Sequence, residues 1–332
     1  MLLLNWKTAL ATALCAVTCS LSALAQVAPV VLKIDTDNGV RYIYDTADLS
    51  TFARVSTPLI QIRPTFATQV LLADVVAVND KPAKGIFMTR LNVLNLTTDP
   101  SAGQAIADVV RGNAAERMVE ILQPDGTPIG SLMMLGFDGG SPPPGAPAGV
   151  RGSNYAITGG TGAFLGVRGQ LNGGAPPENR NASVREDPAQ RRVNGGGKGL
   201  YYAHLIPMSR PEVVVTPNGP SVFHSDFTPV TAAQPARAGD RLIVMATNLG
   251  PTRPGVDPGK LFPRELLLDV NSPVDVVING QAAEVINKIG WPGFENVYRV
   301  DFRVPAGTAA GMATVQLSAA WIPGSPVNIQ VQ

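Results

Sequence analysis

The chain has 332 residues, with 26 basic and 25 acidic side chains and a hydrophobic content of 45%. A near-neutral chain gives no electrostatic footprint for nucleic acid and no polybasic run for anionic lipid. Both cysteines, Cys15 and Cys19, lie in the first 25 residues, so the rest of the chain offers no disulfide scaffold, Cys-based zinc site or thiol nucleophile.

The N-terminal stretch carries one positive charge, Lys7, then a mostly apolar run from Thr8 to Leu21 and the small-x-small pattern Ala23-Leu24-Ala25. That layout predicts a secretory signal at residues 1–25, cleaved before Gln26, and a secreted or periplasmic protein. The apolar run is shorter than the ~20 residues of a membrane span, so no span is predicted in the mature chain. Neither cysteine has the Leu-x-x-Cys setting of a lipoprotein signal. The remaining 307 residues, with 25 basic and 25 acidic side chains, are enough for one or two cores.

Gly and Pro together number 63, which predicts many short strands joined by turns rather than helices. Val30–Ile34 and Val40–Tyr44 flank Asp37-Asn38-Gly39, a hairpin signal. Strands are predicted over Gln69–Val78, Ile86–Leu96, Arg117–Leu122, Ile129–Phe137, Asn154–Thr158, Phe164–Leu171 and Gly199–Met208. The one helical candidate is Ser101–Val110. Asp138–Gly149 and Asn172–Lys198 read as long loops, too polar or too rich in Pro and Gly to bury.

After a linker at Arg210–Pro220 the strands become shorter and evenly spaced: Leu242–Thr247, Glu265–Val270, Val274–Ile278, Ala283–Ile289, Val297–Val304, Ala313–Ser318 and Val327–Val331. That pattern predicts an immunoglobulin-like β-sandwich. The chain is therefore all-β, with one domain at 27–210 and a sandwich domain at 211–332.

Asn154–Leu171, NYAITGGTGAFLGVRGQL, resembles the strand–GGTG–strand hairpin of allene oxide cyclase and dirigent proteins, through Gly159, Gly160, Thr161, Gly162, Phe164, Arg168 and Gly169. The resemblance implies an antiparallel eight-stranded barrel with a central cavity, and it allows a homotrimer. It also makes Arg168 a pocket candidate. Taken by itself, the Gly cluster permits a tight hairpin and leaves Phe164 to pack on the barrel end. It joins strand to strand, unlike a phosphate loop, which leads into a helix. The second half is similar to an immunoglobulin-like C-terminal module of secreted bacterial proteins, related to the IPT/TIG fold. The residues concerned are Ala246–Pro263, Asn271–Val285 and Phe302–Ser318, and the similarity implies location and fold without an activity.

Barrel strands alternate inward and outward, and a charge on a buried apolar face needs a partner. Asp74 shares a face with Val70, Leu72, Val76 and Val78. Arg90 shares one with Ile86, Met88 and Leu94, and Glu120 lies between Met118 and Leu122. Asp74 and Arg90 either pair inside the barrel or lie on a solvated or covered outer face. Tyr155 is a further ligand-binding candidate. So is His204, which with Tyr202 shares a face with Leu200 and Ile206. His204 and His224 are the only histidines. With no cysteine beside them they make a poor transition-metal site, and neither metal nor cofactor is predicted. No Gly-x-Ser-x-Gly elbow occurs. Three functions stay open: a barrel binding a small apolar molecule, an isomerase or cyclase of the allene oxide cyclase type, and a structural surface or matrix protein whose barrel is filled by its own side chains.

Overall fold

The computed structural model describes residues 29–45, 66–94, 112–140, 152–174 and 178–332. The signal at 1–25 and the helical candidate at Ser101–Val110 lie outside them. The described residues form no α-helix, only one 3-10 turn, Pro188–Arg192, and no helix among them is long and apolar enough to cross a membrane.

Eight strands make the first unit: β1 (Val30–Asp45), β2 (Phe66–Val78), β3 (Lys84–Leu94), β4 (Gly112–Leu122), β5 (Pro128–Gly140), β6 (Gly152–Gly162), β7 (Arg168–Gly173) and β8 (Gly197–Ile206). Each pairs antiparallel with the next, and β8 returns to pair with β1, so the sheet closes into a barrel. Alternation then sends one face of every strand inward. Leu32, Ile34, Leu71, Val75, Phe87, Val119, Ile121, Leu132, Met134, Ile157, Leu171 and Leu205 are all buried in one cluster.

Asp37-Asn38-Gly39 is not a hairpin. The chain runs through it as one strand with a bulge, because the segments on either side both pair with β2. Register jumps between Thr36 and Gly39 on one side and between Asp37 and Val40 on the other. Asn38 takes φ +54°, the local kink that an extra residue imposes on a ladder. The GGTG run also differs from expectation. It ends strand β6, and the turn proper follows at Ala163–Gly166. Gly160 is required there because a Cβ would lie 2.5 Å from the Phe164 carbonyl oxygen. Phe164 itself is buried in the barrel core.

The second unit is a single curled sheet. Its strands are β9 (Glu212–Val213), β10 (Val222–His224), β11 (Arg241–Thr247), β12 (Val274–Ile278), β13 (Gln281–Gly290), β14 (Val297–Arg303), β15 (Gly311–Ala319) and β16 (Val327–Val331). The start of β13 pairs with β12 and the remainder with β14. The long strand thereby folds the sheet over into two layers of a β-sandwich. Leu242, Val244, Val276, Ile278, Val300, Phe302, Val315 and Leu317 fill the space between them. The strand predicted at Glu265–Val270 shrinks to Asp269–Val270, with Leu266 and Leu267 exposed.

The units meet at one end of the barrel. Residues Ala320 and Ile322, on the turn after β15, belong to the barrel's core cluster, and Trp321 packs against it. Polar links surround this plug. Lys81 Nζ lies 2.9 Å from Asp275 Oδ1, Arg253 Nη1 donates to Thr127 Oγ1 at 2.8 Å, and Gln123 Nε2 donates to the Asn271 carbonyl.

Candidate functional site

The most unusual side chain in the barrel is Arg117. Strand β4 reads Ala115-Glu116-Arg117-Met118-Val119-Glu120-Ile121, so alternation puts Arg117 on the inward face with Ala115, Val119 and Ile121. It is 4% exposed. Its Nε donates to Thr89 Oγ1 on β3 at 2.8 Å. Its guanidinium carbon lies 3.8 Å from the Tyr155 ring centroid, 4.8 Å from Phe87 and 5.2 Å from Tyr201. Phe87 stacks in turn on Tyr201 at 4.2 Å. A desolvated guanidinium over aromatic faces gains ~2 kcal/mol per favourable contact, which offsets part of the cost of burying the charge.

These residues stand on β3, β4, β6 and β8, which lie on different sides of the closed wall. Contacts from β4 to β8 and from β3 to β8 therefore cross the lumen. A layer of guanidinium and three rings bridges the barrel at mid-height, and the plug from the sandwich covers the end beyond it. Eight-stranded barrels sit at the size where side chains alone can fill the interior.

Of the residues singled out in the sequence, only Tyr155 lies in this layer. Asp74 faces outward, because Leu71, Ala73 and Val75 occupy the inward positions of β2. It does not pair with Arg90. Arg192 Nε and Nη2 each donate to its carboxylate at 2.7 Å, Arg191 donates as well, and Asn38 Nδ2 donates at 3.0 Å. Burial alone would raise the Asp74 pKa, but the bonds from Arg192, Arg191 and Asn38 outweigh it and hold the carboxyl below the usual range. The segment expected to be a free loop at Asn172–Lys198 is thus fastened to the barrel wall. Within it, Arg180–Ser183 also pairs parallel with β1.

Arg90 is on the outer wall, exposed and 2.9 Å from Glu116. Glu120 is outward and exposed. It lines a depression of about 390 Å3 between the units, with Met118, Ser131, Thr161, Pro251 and Asn271. Arg168 is exposed too. Its Nη1 donates to the neighbouring Val167 carbonyl at 3.0 Å, so it does not line the lumen. His204 and Tyr202 are half-buried on the outer face of β8, since Tyr201, Ala203 and Leu205 take the inward positions. His224 Nε2 lies 3.2 Å from the Gln234 carbonyl, and Asp226 caps its own turn by accepting from Thr228. No group of three metal-ligating side chains occurs among the described residues.

No family model matches the chain, and no curated protein matches it. Among solved structures, a polysaccharide lyase is similar over 91% of this chain and 40% of that one, at 9% identity and a TM-score of 0.17. The chain thus spans less than half the length of that structure, and a likeness at this TM-score carries no argument about fold or activity.

Sequence reading missed Arg117, Thr89, Phe87 and Tyr201. The signal was present for Arg117: a lone charge on the face formed by Ala115, Val119 and Ile121. The strand predicted there began at Arg117 and its charge was sought on the alternate face, at Glu120.

Proposed function

We propose that the protein is an exported, non-catalytic scaffold of the cell surface or matrix, with a barrel filled by its own side chains and an immunoglobulin-like sandwich behind it. The observation that carries this reading is the Arg117–Tyr155–Tyr201–Phe87 layer. It spans the lumen where a small-molecule site or a cyclase cavity would need open space. The candidate polar residues Asp74, Arg90, Glu120 and Arg168 support it from the other side, because all four face outward and assemble no catalytic set. Export rests on the N-terminal signal pattern. Native mass spectrometry of the purified protein tests the reading: the expected mass is that of the polypeptide alone, and a retained small molecule would overturn it.

A second reading is favoured by one specific observation, the buried guanidinium of Arg117 among aromatic rings. A small, mostly apolar molecule bearing an acidic group would find both its chemistries there. It would have to enter from the end away from the sandwich. Arg117→Met would then abolish its retention, whereas under the first reading no ligand is there to lose.

A further inference from the structure

The outer wall of the barrel carries three methionines side by side. Phe87 and Thr89 on β3, Arg117 and Val119 on β4, and Leu132 and Met134 on β5 are all buried on the inward face. Alternation therefore turns Met88, Met118 and Met133 outward. The register sets them in one row across the strands. Met88 stands directly opposite Met118, and Met118 directly opposite Met133. Opposed Cβ atoms on one face lie ~5 Å apart. Met88 and Met118 are half-buried and Met133 is 39% exposed, so solvent reaches the row.

The rows on either side hold no sulfur. One reads Arg90, Glu116, Leu135 and the other Ile86, Glu120, Ser131. Strand positions favour β-branched and aromatic side chains, and an exposed methionine is open to oxidation. The chain has 8 methionines, and three of them fall in this one row, which packing preference alone does not account for. The shared property of the three is the thioether. The wall is convex, so the outer two side chains must lean over the middle one. An unbranched chain with three rotatable bonds does this at little cost. The depression of about 390 Å3 lined by Met118, Glu120 and Ser131 opens beside the row and leaves room for an ion to approach.

Donor softness, not charge, selects the occupant. Around the row, Arg90 and Glu116 neutralise each other at 2.9 Å, and the exposed Lys84 and Glu120 add one charge of each sign. Thioether sulfur is soft and uncharged. It favours Cu(I) over zinc, calcium or magnesium, which take imidazole, thiolate or carboxylate donors. The His, Cys, Asp and Glu side chains that those harder ions need form no group of three among the described residues. Beyond residue 25 the chain has no cysteine, so methionine is the one sulfur ligand it can offer there. We infer that Met88, Met118 and Met133 bind one monovalent copper ion through their three sulfurs. The inference goes beyond the scaffold reading and does not depend on the state of the lumen.

The test is anaerobic titration of the full protein into Cu(I) held by bicinchoninate, a coloured chelator, alongside equilibrium dialysis against Zn(II). The expected result is one Cu(I) withdrawn per chain and no zinc retained. Met88→Leu, Met118→Leu and Met133→Leu should each weaken Cu(I) binding by about tenfold or more, since each removes one of three donors. Leucine conserves the volume, so the variants keep the fold. Met312→Leu removes a thioether that is 65% exposed on β15 of the sandwich, and it should leave binding unchanged. The inference fails if the wild type leaves Cu(I) on the chelator or retains zinc as well. It fails equally if any of the three row variants binds as tightly as wild type, or if Met312→Leu binds as weakly as they do.

Discussion

The guanidinium of Arg117 lies 3.8 Å from the ring centroid of Tyr155, inside a closed barrel and across two strand positions of its wall. This contact joins β4 to β6 through the lumen rather than along the sheet. If the layer is packing rather than a ligand floor, Arg117→Met should change unfolding free energy by less than about 2 kcal/mol, because the lost contacts are offset by relief of desolvation. Tyr155→Ala should cost about 3–5 kcal/mol through the cavity it leaves. Urea unfolding of both variants measures this. Equal, large losses would mean that the guanidinium itself is indispensable to the layer and that relief of desolvation does not offset its contacts.

Asp74 and its two arginines make a separate prediction. A carboxylate held below its usual pKa contributes stability that is present above the unfolded value of about 3.8 and disappears as pH falls through the lower folded value. The wild type should therefore hold the Pro188–Arg192 turn down at neutral pH and release it in strong acid. Asp74→Asn should release it already at pH 7. Trypsin cutting after Arg191 or Arg192 reports the release, with at least a tenfold faster nick expected in the variant, since removing one partner of a buried pair costs about 3 kcal/mol. Equal cutting rates would show that Asp74 does not fasten the segment.

The plug between the units can be weakened from the sandwich side. Ile322 is 3% exposed within the barrel's core cluster, so Ile322→Ala should cost about 2–5 kcal/mol. The loss should appear in the melting of the barrel, although the residue belongs to the other unit's sheet. Calorimetry should then resolve two transitions, where a single one is expected of the wild type. A variant that lowers only the sandwich transition would contradict the packing described.

Export is checked most directly by the N-terminal sequence of the protein recovered outside the cytoplasm. It should begin at Gln26. Recovery of a chain starting at Met1 would remove the export part of the proposal.

The strand content was legible because short apolar runs and Gly/Pro turns point the same way, whereas the barrel was expected only through the resemblance carried by Asn154–Leu171. The orientation of those strands was not. Gln69–Val78 is apolar on both faces, so period-two alternation could not say which side was inside, and Asp74 was placed by its charge. In β4 the opposite occurred, where the inward face contained the charge. Asp37-Asn38-Gly39 has the residues of a hairpin turn, but turn chemistry is local, while the choice between a turn and a bulge was made by partners on β2 and β8. Loop polarity misled at Pro188–Arg192 for a similar reason, since Arg191 is buried only because Asp74 receives it from another strand.

The turn at Ala320–Ile322 has a consequence for the order of synthesis. A ribosome delivers the barrel strands first, yet the residues that cover one end of their core arrive only after β9 to β15 of the second unit. Until then the barrel's apolar end stays uncovered, and a chain cut at the boundary between the units would display it permanently. The two units are neighbours in sequence, but completion of the first waits on the last.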